Sequence, residues 1–152
     1  MLAEDAVSGP LLESLADDPA VYAVKLGDGV ILPGGSQTVR IRTDGAHRAI
    51  SVAGMLVTTN DAFYAVRDVR AIRLTTDTYA QAWDAGSEAN NEDCAYIPGP
   101  PCGNPGSRTD TSEGFIHIHN GIHGQGSLEA MLFDWRNPVA KVTVRAATGL
   151  RR

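Results

Sequence analysis

From Thr38 onward the chain alternates short runs rich in Val, Ile and Thr with Gly, Pro, Asn and Asp punctuation, and this pattern constrains the fold most. Period-two runs bounded by turn residues build strands that bury one face and wet the other. The pattern predicts strands at Thr38 to Arg42, Ala49 to Thr58, Ala71 to Thr75, Gly114 to His119, Leu128 to Phe133 and Val139 to Ala146. In the last of these Val142 and Val144 alternate with Lys141, Thr143 and Arg145, so one side should face solvent. One short helix is expected over Ser8 to Asp18, where Leu11, Leu12 and Leu15 share a helical face, Ser8 can cap and Pro10 suits the first turn. The fold class is therefore all-β, in the form of a sandwich or barrel.

A chain of 152 residues fits one domain, and no linker or repeat divides it. At this size folding buries roughly 70% of the surface of the extended chain. With 43% hydrophobic and 20% charged residues the composition is that of a globular protein. A net charge of −5, with Arg151 and Arg152 as the basic pair, argues against the broad phosphate-binding face of a nucleic-acid protein. No run approaches the roughly 18 apolar residues of a membrane span. The opening MLAEDAVSG also lacks the basic and apolar regions of a signal peptide.

Cys94 and Cys102 enclose AYIPGPP, whose prolines and glycine suit a tight closed loop. A disulfide is expected in an oxidising compartment; the alternative is two unpaired thiols, without any zinc-type Cys spacing. The pair lies within a long segment, Thr76 to Ser112, rich in Gly, Pro, Asn, Asp and Ser. Loops of that length in compact domains are usually functional or disordered.

Three acidic clusters stand out: Asn60-Asp61, Asp84 to Glu88, and Glu92-Asp93. Calcium takes six to eight oxygen ligands, so carboxylates must converge from separate loops where small residues let carbonyls approach. Asp61, Asp84 and Glu88 are the candidate ligands, with Gly86 between the last two; the plainer alternative is a set of solvated acidic loops. A second constellation is His117, His119 and His123, with Glu113 nearby. Two histidines two apart in a strand can reach one transition metal, and Glu113 would serve as base for a zinc-activated water. The plainer reading is a polar strand face whose imidazoles hydrogen-bond to their neighbours. No GxSxG, GxGxxG or P-loop pattern is present, and Asp134 to Pro138 reads as a packed turn carrying Trp135.

Taken in order, LAED at Leu2 to Asp5, TTNDAFYAV at Thr58 to Val66, WDAGSEANNE at Trp83 to Glu92, IPGPPC at Ile97 to Cys102, EGFIHIHNGIHGQG at Glu113 to Gly126 and DWRNPVAKVTVR at Asp134 to Arg145 resemble the spondin N-terminal domain in its bacterial form. The resemblance implies an antiparallel β-sandwich of C2-like type, secreted or on the cell surface. It implies a non-catalytic role in adhesion or recognition of an extracellular protein or glycan, with a calcium ion near one end. By position, Asp61 matches the aspartate of the family's PSPDWF-like stretch, and Asp84 and Glu88 match the acidic positions of its DAGTD-like stretch. Glu4 matches a further acidic position. Ala62 stands where animal members have tryptophan, and Glu88 replaces a shorter aspartate, so a rearranged shell or a changed affinity is expected. The resemblance also implies that the chain begins inside the domain and lacks its first strand or strands. Two functions are thus expected: a calcium-binding recognition domain, or a metal-dependent enzyme using the three histidines.

Overall fold

The computed structural model describes residues 1–71 and 74–147. Its described strands form one antiparallel five-stranded sheet, so the expected all-β class is met. The strands are β1 (Ala49–Met55), β2 (Ala62–Arg70), β3 (Thr76–Asp84), β4 (His117–Ile118) and β5 (Ala140–Val144). The order along the sheet is β1-β2-β3-β4, with β5 also pairing with β3.

β3 is the hub, and its two halves have different neighbours. Residues 76–80 pair with β5, from Thr76 opposite Val144 to Ala80 opposite Ala140. Toward the other end, Gln81 to Asp84 pair with Ala65 to Ala62 of β2, and Trp83 and Asp84 pair with Ile118 and His117 of β4. Ala62, Ala80 and Ala82 are fully buried, so the middle of the sheet is filled by small side chains.

The β1–β2 ladder carries a bulge, since the register shifts between Ile50 and Val52. Asp68 takes the left-handed conformation there (φ 59°), and its N–H donates to Ser51 Oγ at 3.3 Å. Aspartate is among the few residues that enter this region readily, and a bulge is where a strand requires it.

Two apolar clusters hold the molecule. Val66, Val69, Ala80 and Val144 form one, with Ile50, Val52, Tyr64 and Val142 packed around it on the sheet. Ile97, Ile122 and Leu128 form the other, enclosed by the Cys94–Cys102 disulfide, Phe133 and Trp135. The second cluster is built from segments outside the strands. The disulfide, with its Cα atoms 4.7 Å apart, takes the place there of regular backbone pairing.

Several sequence expectations need correction. The predicted helix is present as α2 (Gly9–Ala16), but two one-turn helices accompany it, α1 (Leu2–Asp5) and α3 (Ala130–Phe133). The strand expected at 128–133 is therefore replaced by α3, with Leu128 buried just before it. Residues 38–42 alternate as a strand should, yet they pair with no described strand and Val39 and Ile41 stay exposed. Of the strand expected at 71–75, residues 72 and 73 lie outside the described residues, and 71, 74 and 75 are not in a strand. The expected strand at 114–119 shrinks to β4. Conversely, β2 and β3 have no counterpart among the expected strands; β3 occupies the first part of the segment read as a long loop, because its inward positions, Thr76, Thr78, Ala80, Ala82 and Asp84, carry little apolar signal. No helix among the described residues is long and apolar enough to cross a membrane.

Candidate metal centre

The turn before β2 places Asp61, and it is built by threonine. Thr59 Oγ1 donates to the Leu56 carbonyl at 2.6 Å and accepts from the Ala62 N–H at 3.0 Å, while the Leu56 N–H reaches the Ala62 carbonyl. Because Ala62 pairs with Asp84 across the ladder, Asp61 and Asp84 share one end of the sheet. The chain leaving β3 then folds back over Asp61. Gly86 makes this possible: its φ is +67°, and the backbone of Phe115 lies so close that any side chain would collide with it.

Asp61 is fully buried and asymmetric. Its Oδ2 accepts from Ser87 N at 2.7 Å, Ser87 Oγ at 3.0 Å and Glu88 N at 2.9 Å, whereas Oδ1 has no hydrogen-bond partner. Glu88 is 1% exposed, and neither of its carboxylate oxygens receives a hydrogen bond. Arg108 stands 3.4 Å from Glu88 Oε1, an ion pair without hydrogen-bond geometry, and the same guanidinium contacts Asp5 and lies 3.4 Å from Glu4. Burial pushes Glu88 up to about 7; Arg108 opposes the rise, and Glu4, Asp61 and Asp5 add to it. Asp61 is likewise raised, first by burial and then by the charge of Asp84, against the hydrogen bonds it accepts.

Asp84, although fully buried, is engaged elsewhere. Its Oδ1 accepts from Gly86 N at 2.6 Å, its Oδ2 accepts from the Asn90 side-chain amide, and His117 Nε2 lies 3.7 Å from the same oxygen. Asn90 in turn bonds His119: its Oδ1 is 2.9 Å from His119 Nε2, and the Gly121 N–H reaches His119 Nδ1 at 3.0 Å. A ring nitrogen that accepts a backbone N–H leaves the other nitrogen to carry the proton. Burial also pulls the His119 pKa down, consistent with a neutral ring. Both nitrogens of His119 are thus committed to hydrogen bonds.

His123 is exposed, and its backbone rather than its imidazole is held: Glu92 Oε1 accepts the His123 N–H at 2.6 Å and Oε2 accepts the Gln125 N–H at 2.7 Å. Glu92, buried and left-handed at φ 55°, is a latch for the 123–127 loop. Its carboxylate has no orphaned oxygen to offer.

The three sequence-derived candidates therefore meet at one end of the sheet, but in different chemical states. Asp61 and Glu88 keep free, buried oxygens, while both oxygens of Asp84 hold the surrounding loop. Among the described residues no group of three or more His, Cys, Asp or Glu side chains is arranged to hold a metal. A calcium shell drawing on Asp61 and Glu88 would take its remaining oxygens from backbone, hydroxyl or water. Sequence reasoning missed Arg108 and Asn90. Arg108 had a readable signal, being the one basic residue between Thr76 and Ser112. Asn90 had none, since an amide in an Asn-rich loop does not announce its partner.

Compared with known proteins, the chain matches no family model, no curated protein and no solved structure.

Proposed function

We propose that this chain is a calcium-binding, non-catalytic recognition or adhesion domain, a C2-like β-sandwich of the spondin type acting outside the cell or on its surface. The observation that carries the reading is the pair of buried carboxylates, Asp61 and Glu88, with three oxygens that have no hydrogen-bond partner. Buried polar atoms are almost always paired, and a buried charge without a partner is costly. A hard cation satisfies such oxygens, and its charge offsets the mutual repulsion of the acidic groups. Asp61 and Glu88 would hold the ion, and Asp84 would fix the loop that brings them together. The Cys94–Cys102 bridge supports an oxidising destination.

In this role the sheet is a scaffold, and the loops around Gly86 and Phe115 present the surface to an extracellular protein or glycan. No observation favours the enzyme built on His117, His119 and His123, because His119 has no free nitrogen and His123 points its backbone at Glu92. The thermal midpoint in calcium against excess EDTA tests the proposal. An ion that binds only the folded state at about a hundred times its Kd adds roughly 2.7 kcal/mol, a rise of several degrees. An unchanged midpoint removes the ion from the account.

A further inference from the structure

Resting on that calcium reading, we propose that Arg108 is an internal counter-cation that holds the carboxylate pocket when no divalent ion is present and has to leave for one to enter. Arg108 lies between the one-turn helix α1 and the buried site. Its guanidinium bonds Asp5, lies 3.4 Å from Glu4 and reaches Glu88 Oε1 at the same distance. The contact with Glu88 lacks hydrogen-bond geometry, so Arg108 balances the charge there without satisfying the oxygens. Asp61 Oδ1 and both Glu88 oxygens stay without a hydrogen bond beside it, which is the second mark of a place made for a smaller cation.

Arginine can withdraw because its side chain is still 38% exposed and its stem lies on a loop rather than on a strand. The same loop is tied to α1 by the Gly106 N–H, which donates to Asp5 Oδ1 at 2.9 Å. Arg108 thus sets the affinity for the ion and joins occupancy of the site to the position of this loop. Two positive charges cannot share Glu88 without repulsion, so each entering ion must displace the guanidinium from it.

The test is calorimetric titration of calcium into chelator-stripped protein, comparing wild type with Arg108→Gln, Arg108→Lys and Arg67→Gln. Arg67→Gln makes the same change in net charge at an exposed position on β2. Arg108→Gln is expected to bind calcium about tenfold more tightly, the factor that 1.4 kcal/mol gives. Arg108→Lys and Arg67→Gln should stay near wild type, since one keeps a cation at the pocket and the other alters a screened surface charge. Equal or weaker binding by Arg108→Gln overturns the proposal, as does an equal gain in Arg67→Gln. Should Arg108→Gln fail to fold in EDTA, recovery of its thermal transition in calcium supports the proposal and failure to recover overturns it. Calcium binding by wild type with no gain in Arg108→Gln defeats this inference alone. No binding by either protein defeats the calcium reading with it.

Discussion

Glu88 hangs from Asp61: its backbone N–H donates to Asp61 Oδ2 at 2.9 Å, so the loop that carries one buried carboxylate is tied to the other. Like charges are held together in this way only where something offsets their repulsion. In the protein alone that role falls to Arg108 and to partial protonation, because burial raises Glu88 to about 7.

The raised pKa fixes the sign of a pH effect. The folded state binds the Glu88 proton more tightly than the unfolded chain does, whose ordinary value is 4.5. Its contribution to stability is thus complete below that value and is lost as pH rises through about 7. Asp61, also raised, acts in the same direction. Asp5 acts oppositely: its hydrogen bond to Arg108 holds its pKa low, so its contribution is lost in acid. In EDTA the thermal midpoint should fall from about pH 5 to about pH 8, and Glu88→Gln should remove much of the fall. Saturating calcium should flatten it too, by binding the ionised form. A wild-type midpoint that rises across this window contradicts the assignment.

Glu92 gives a contrasting prediction, because its carboxylate serves the backbone. Replacing it with alanine strands the N–H groups of His123 and Gln125 and should cost about 3 kcal/mol in urea unfolding. Calcium stoichiometry should not change once the variant is folded. Loss of calcium binding at undiminished stability would mean that Glu92, not Glu88, carries the ion.

Much of this arrangement was legible in the residues. β1 and β5 follow the alternation of Ile50 and Val52 and of Val142 and Val144, and α2 follows Leu11, Leu12 and Leu15 behind Pro10. The acidic clusters and Gly86 also point to the end of the sheet that Asp61, Asp84 and Glu88 share. β3 was hidden because Ala80 and Ala82 face inward, and alanine carries little strand signal even when fully buried. The run at 38–42 shows the converse, since alternation gives a strand only where another strand offers its N–H and C=O groups. Which carboxylates are free and which are engaged depends on contacts such as Asn90 with Asp84, and spacing holds no record of them.

The disulfide is expected to steady the second core. It closes a short loop against Ile97, Ile122 and Leu128, and removing it through Cys94→Ser with Cys102→Ser should cost about 2 to 3 kcal/mol. Denaturant midpoints with and without reductant check this. Identical midpoints would show that the apolar packing holds the loop unaided.

The central claim is that the orphaned oxygens of Asp61 and Glu88 bind calcium, and the most direct measurement is calcium calorimetry on wild type, Asp61→Asn and Glu88→Gln stripped of metal. The account predicts one site in wild type and binding at least about tenfold weaker in either variant, with the fold retained by circular dichroism. No calcium heat in wild type, or equal affinity in all three proteins, would contradict it.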